Sequence, residues 1–138
     1  MNIDILKSFF EAYSEASTST DPTVLASHYA DAFIASGPTG SAAFKNDEHF
    51  LAWLGQVYDF NRHVGMRSLE VVSIHETPIS DHHAFATVQW GARFEKTGDE
   101  RICFEISYLL RLSEGKPLII AYISHEDQED VMKARGVI

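Results

Sequence analysis

Apolar residues recur at helical spacing at the start of the chain. Ile3, Leu6, Phe10 and Tyr13 share one face, with Ile5, Phe9, Ala12 and Ala16 beside it, and predict a helix over residues 2–17. The polar run from Ser17 to Asp21 ends it. Asp21 followed by Pro22 reads as an N-cap with proline at the first helical position, opening a short second helix that reaches about Ala30. Phe33 to Ser36 read as a brief strand entering the turn Gly37, Pro38, Thr39 and Gly40, which would form the rim of a pocket. Asn46 or Asp47 caps a third helix, in which Phe50, Trp53, Leu54, Val57 and Tyr58 recur until about Arg62. Three helices are thus expected ahead of the main strands.

From Arg67 the pattern changes to that of strands. Leu69, Val71, Val72 and Ile74 lead to a turn at Pro78, Ser80 and Asp81; Ala84 to Phe94 and Ile102 to Leu112 form a hairpin about Lys96, Thr97, Gly98 and Asp99. Ser113 to Pro117 turn the chain into a last strand, Leu118 to Ser124. A short terminal helix around Val131 to Arg135 stops at Gly136. Alternation puts Ala84, Ala86, Val88, Trp90, Ala92 and Phe94 on one hairpin face, with Phe104, Ile106, Tyr108, Leu110 and Leu112 across from them. A turn centred near Gly98 places Trp90 opposite Ile106 and Val88 opposite Tyr108, so that this apolar face meets the helices. The other face is mixed, with Thr87, Gln89, Arg93, Glu105, Ser107 and Arg111 among Phe85 and Leu109. It suits a homodimer interface through the open sheet face. Helices followed by hairpin strands define the class: α+β, helices packed on a curved, mainly antiparallel sheet.

Length and composition narrow the function. The 138 residues suit one domain, 1–138, with 45% hydrophobic and 22% charged residues, ordinary globular usage. A formal charge of −9, from 11 basic and 20 acidic side chains, repels nucleic acid and anionic membranes, so neither is an expected partner. Cys103 is the only cysteine, which rules out an intramolecular disulfide and a cysteine zinc cage within one chain and suits a reducing, cytoplasmic setting. No secretory signal is read at the N-terminus, and nowhere do 18 apolar residues run together as a membrane span requires.

The order of elements resembles the nuclear-transport-factor-2-like superfamily over nearly the whole chain. The likeness rests on the amphipathic first helix, the segment His28-Tyr29-Ala30-Asp31-Ala32-Phe33 before a Gly-Pro loop, a third helix with Trp53, and long final strands joined by Ser113-Glu114-Gly115-Lys116-Pro117. It implies a cystatin-like cone of helices on a curved sheet, as in polyketide-cyclase-like and ketosteroid-isomerase-like proteins. Members of that superfamily range from isomerases and dehydratases to assembly modules. Where the family usually has Trp soon after the Gly-Lys turn, this chain has Pro117 and Leu118, which leaves two registers one residue apart for the last strand.

Chemistry of the isomerase type needs a carboxylate base and a hydrogen-bond donor around an apolar pocket. Asp31 is a candidate base and Tyr13, Tyr29 and Tyr108 candidate donors; each also has a structural use, Asp31 as a cap. His125, at the end of the last strand, faces the pocket if its parity follows Ile123, or else caps the acidic C-terminal segment. Tyr13, Phe33, Trp53, Trp90 and Tyr108 line a pocket if the helices stand off from the sheet, and pack as core if they do not. His82 and His83 point to opposite faces of a strand and cannot share an ion with His75 or Asp81 unaided, so no metal and no cofactor is expected. The sequence therefore points to a small-molecule-binding domain with an apolar ligand between helices and sheet, open to isomerase-, cyclase- or dehydratase-like catalysis. The alternative is a non-catalytic dimerisation or protein-interaction module.

Overall fold

The computed structural model describes residues 2–138. Its elements run α1 Ile3–Ser17, α2 Pro22–Ala26, β1 Tyr29–Gly37, β2 Gly40–Lys45, α3 Glu48–His63, β3 Met66–Pro78, β4 His83–Phe94, β5 Ile102–Ser113, β6 Lys116–Ser124 and α4 Gln128–Ala134. The six strands form one mixed sheet in the order β2-β1-β6-β5-β4-β3, and the fold is α+β as expected. Only β1 and β6 run parallel; all other neighbours are antiparallel.

Helix α1 begins where the Asn2 side chain accepts the Asp4 amide at 2.7 Å. It buries Leu6, Phe9, Phe10, Tyr13 and Ala16, the i, i+3, i+4, i+7 stripe, while Ile3 and Ile5 on its flank stay exposed. The buried stripe lies on the sheet face that alternation selects. Phe10 meets Trp90 and Tyr108 with ring centroids 6.2 and 4.9 Å away, and the Ser14 hydroxyl donates to the Leu69 carbonyl of β3. Ala84, Ala86, Val88, Trp90, Ala92 and Phe94 are all almost fully buried on that face. Each large side chain buried there contributes roughly 1.5–3 kcal/mol, which fixes the face of β4 far more firmly than any strand propensity.

Three local expectations need correction. The second helix stops at Ala26, not Ala30, and Tyr29 already belongs to β1. The cause is Asn46, whose side-chain amide donates to the carbonyls of Ala26 at 2.8 Å and Tyr29 at 3.1 Å and so holds the chain in the turn between them. Asn46 is thus a clamp, and the cap of α3 is Asp47, whose carboxylate accepts the amides of His49 and Phe50. The three helices do not run ahead of the sheet, because the hairpin β1–β2 intervenes. Strand β2 has five exposed residues and a partly buried Phe44, so it carries no apolar alternation to announce it. In the β4–β5 hairpin Trp90 lies opposite Phe104, Val88 opposite Ile106 and Ala86 opposite Tyr108, two residues from the expected register. The β4–β5 pairing ends at Ala92 and Ile102, and the chain between them passes through a 3₁₀ turn at Glu95–Thr97, so it is not centred on Gly98. An even slip keeps every side chain on its face, so the division into inner and outer faces survives.

The β5–β6 register is set by a two-residue turn in which Glu114 and Gly115 both have positive φ, 51° and 79°, the type I′ pattern that suits strand twist. Ser113 therefore pairs with Lys116 and Leu112 with Pro117. A bulge follows: Leu110 pairs with Ile119 but Leu109 with Ala121, leaving Ile120 as the extra residue. Further irregularities in β3, at Met66–Ser68 and Val71–Ser73, bend the sheet around the helices.

On the outer face the Arg101 side chain crosses Gly91, where an added Cβ would sit 2.4 Å from Arg101 Cδ. Glu70 receives both Arg93, at 2.5 Å, and Arg101, at 3.3 Å. The two guanidinium donors hold the Glu70 carboxyl below the usual carboxylate range.

Removing the α3 cap with Asp47→Ala is expected to cost about 1 kcal/mol, with Asp47→Asn recovering most of it. Urea unfolding with an unchanged m-value would verify this; equal losses for both variants would show that the cap is not the reason Asp47 matters.

Candidate functional site

The helices do not close completely on the sheet. Between α1, α3, α4 and the inner face lies a cleft of about 1030 Å³. Ala92 of β4 and Ala35 of β1 are small residues in its lining, and its walls carry many aromatic rings. Tyr13 from α1, Phe33 from β1, Trp53 from α3, Trp90 from β4 and Tyr108 from β5 all line it, as the sequence suggests they would if a pocket exists. Trp90 and Tyr108 form its floor and are almost fully buried, whereas Trp53 is 52% exposed. Its indole stacks on Phe50 with centroids 6.2 Å apart and lies 6.5 Å from Phe44. The turn Gly37–Gly40 forms part of the rim.

The polar groups among the buried aromatic residues of the cleft are phenols and the Trp90 indole. The hydroxyls of Tyr13 and Tyr29 are 2.7 Å apart, and the Trp90 indole N–H donates to the Tyr108 hydroxyl at 3.1 Å. Tyr58 donates to the Ala16 carbonyl at 2.7 Å, tying α3 to the end of α1. Tyr122, which pairs with Tyr108 across β5 and β6, accepts from the Gln128 side-chain amide at 3.1 Å. Burial pushes the Tyr13 phenol up to about 12, even though hydrogen bonds from Tyr29 and Tyr108 favour its ionised form. Burial likewise raises Tyr29, Tyr108 and Tyr122. All four are therefore neutral at physiological pH, able to donate a hydrogen bond but not to act as bases. Three carboxylic residues, Glu126, Asp127 and Glu129, line the cleft at the α4 end, with no Lys, Arg or His among the lining residues. Of these, the Asp127 carboxylate is occupied in capping α4, accepting the amides of Glu129 and Asp130.

Two sequence candidates lie elsewhere. Asp31 is exposed on β1, away from the cleft, in a shallow outer groove with Arg111 and Leu118. His125 does not line the cleft either. Its Nε2 is 2.6 Å from the Ser107 hydroxyl, itself 2.9 Å from the Thr87 hydroxyl, and its Nδ1 is 3.4 Å from the Glu105 carboxylate, all on the outer face. The bulge at Ile120 is the reason. Pro117 and Ile119 face inward at odd positions, and beyond the extra residue the inward positions become Tyr122 and Ser124, so Ile123 and His125 turn outward. The same parity change hides Tyr122 from sequence reading, as the absence of pattern in β2 hides Phe44. His28, from the segment shared with the resembled superfamily, is buried between Phe9 and Tyr13 and uses Nδ1 to reach the Val24 carbonyl at 3.0 Å. Burial lowers its pKa, so it packs as a neutral ring. Among the described residues no three His, Cys, Asp or Glu side chains gather as a metal site, and His83 instead meets the Ser80 hydroxyl at 3.1 Å.

The phenols tie stability to alkaline pH. With folded-state values above the unfolded value of about 10, the native chain keeps protons that the unfolded chain loses as pH rises, so stability is full below pH about 10 and falls above it. Tyr13 and the phenols buried with it should therefore add their ultraviolet phenolate signal only as pH approaches 12, the value reached by Tyr13, and together with loss of the near-ultraviolet circular dichroism. Reversible ionisation of most tyrosines near pH about 10 with the fold intact would contradict the buried network.

Comparison with known proteins agrees with this architecture. The chain superimposes on an NTF2-like protein with a cystatin-like fold from Novosphingobium aromaticivorans with a TM-score of 0.72, at 12% identity, over 99% of this chain and 88% of that one. An NTF-2 like protein of unknown function from Shewanella oneidensis MR-1 matches with a TM-score of 0.71, at 15% identity, over 91% and 100%. A hypothetical protein with a ketosteroid isomerase-like fold from Catenulispora acidiphila, solved in complex with trimethylamine, matches at 0.57, with 14% identity over 93% and 92%. At these identities the likeness is one of fold. No curated protein matches the chain. The sequence model of the family described as NTF2-like protein (DUF6841) matches residues 3–127, and the chain belongs to that family.

Proposed function

We propose that this protein binds a small, largely apolar molecule carrying at least one hydrogen-bond-accepting oxygen in the cleft between helices and sheet. The observation that carries the reading is the cleft itself, about 1030 Å³, walled by aromatic rings and furnished on its floor with neutral tyrosine hydroxyls. Apolar walls supply affinity through burial, and a few fixed donors orient an oxygen. The Catenulispora protein, of similar fold, was solved with a small molecule, trimethylamine, which supports reading such a fold as a holder of small ligands. Binding is favoured over isomerase-like proton transfer because the floor offers donors and no base. The carboxylates of the cleft sit at the α4 end, and Asp127 is committed to its helix.

A second feature supports assembly as a homodimer through the outer sheet face. Ile34 and Ile123 stand 51% and 38% exposed there, on the adjacent strands β1 and β6, beside the Thr87, Ser107 and His125 chain of hydrogen bonds. Exposed apolar side chains beside polar ones that already have partners suit a moderately polar interface.

Two measurements test these readings. Ala35→Trp, on a β1 residue lining the cleft opposite Tyr122, should fill the cleft and abolish binding of the neutral dye Nile red while leaving the far-ultraviolet spectrum intact. Undiminished binding would remove the cleft as the site. Ile123→Glu should convert a dimer to a monomer in sedimentation velocity; a wild-type chain that sediments as a monomer would remove the interface.

A further inference from the structure

The family match ends at Asp127, and α4 begins at the next residue. The α4 segment is nevertheless part of the cleft: Gln128, Glu129, Val131 and Met132 all line it. It is anchored at its far end by Val137, fully buried with Val64, Ala92, Phe94 and Ile102, and by Arg135, 2.7 Å from the Glu100 carboxylate. One of its side chains also touches the phenol set. The Gln128 Nε2 donates to the Tyr122 hydroxyl, and the Tyr122 ring stands edge-on to that of Tyr108, 5.7 Å away, at the cleft floor.

From this arrangement we infer that Gln128 is a positioning residue that makes Tyr122 a committed hydrogen-bond donor, so that the cleft selects ligands with a carbonyl-type oxygen. A phenol has one proton and an oxygen that both donates and accepts. With the amide proton of Gln128 on that oxygen, the phenol's own proton is directed away from Gln128, where only an acceptor satisfies it. Without the amide the hydroxyl rotates freely and receives donors as well as acceptors, and the preference for a carbonyl is lost. The segment outside the family match thereby sets selectivity on a floor supplied by the family's strands. The inference rests on the binding function proposed above and adds the class of ligand and the residue that selects it.

The test uses two neutral probes of matched shape, 2-acetonaphthalene and 2-ethylnaphthalene, titrated into the full chain by calorimetry. The wild type is expected to bind the ketone about tenfold more tightly than the hydrocarbon, the worth of one well-made buried hydrogen bond. Tyr122→Phe should bring the ratio towards one. Gln128→Leu should lower it comparably, and the double variant should lower it no further, since the two side chains act as a unit. Gln128→Glu is the sharper control: its carboxylate accepts, drawing the Tyr122 proton to itself, so the ketone preference should fall although size and contact are kept. A wild-type ratio of one, or a full ratio retained in both Gln128 variants, overturns the inference while leaving binding in place. Failure of the folded wild type to bind either probe overturns the binding function and this inference with it.

Discussion

Burying a phenol without a partner costs roughly 1–3 kcal/mol, and this chain buries several around one space. That constraint organises the inner half of the molecule. Trp90 has only a donor, so Tyr108 must accept from it; Tyr13 and Tyr29 satisfy one another; Tyr58 reaches the Ala16 carbonyl at the end of α1; Tyr122 takes the amide of Gln128. Among the described residues no buried side-chain nitrogen or oxygen is left without a partner. Each bond joins different elements: β4 to β5, α1 to β1, α3 to α1, β6 to α4. The polar pairs thus specify how helices sit on the sheet in a way that greasy contact alone, which is non-directional, does not.

The same constraint explains why a cleft persists. A fully collapsed core would force aromatic side chains off their hydrogen-bonding geometry, and the small lining residues Ala92 and Ala35 do not fill the space themselves. Phe10 packs against Trp90 and Tyr108 on one side, while the other wall is built by Phe33, Phe44, Phe50 and Trp53 around the β1–β2 hairpin and α3. What remains between the two aromatic groups is volume bounded by rigid surfaces. Its phenols are already oriented by hydrogen bonds to one another and to Trp90, Gln128 and the Ala16 carbonyl, the preorganisation that binding sites require.

Legibility from sequence followed the physics of each element. Helix α1 and the β4–β5 pair were readable because one face is buried and the other wet, which imprints a period on the residues. Strand β2 was not, since five of its six residues are exposed and its partner β1 is chosen by a two-residue turn rather than by a pattern. The end of α2 depended on Asn46, twenty residues beyond the carbonyl it holds at Ala26, and no local rule sees that bond. Five of the six candidate ligand residues line the cleft because inner-face aromatics serve equally as core and as wall. His125 lies outside it because a single extra residue, Ile120, reverses parity late in β6.

That bulge has a structural consequence for both faces of the sheet. By shifting parity it brings Tyr122 inward to meet Tyr108 and Gln128, and turns Ile123 and His125 outward to the chain that runs through Ser107 and Thr87. Had β6 kept its alternation, an imidazole would stand beside the buried phenols and the Ser107 hydroxyl would keep only Thr87 as a side-chain partner on the outer face. Placing the imidazole outside leaves the phenol floor neutral and donor-rich at every ordinary pH.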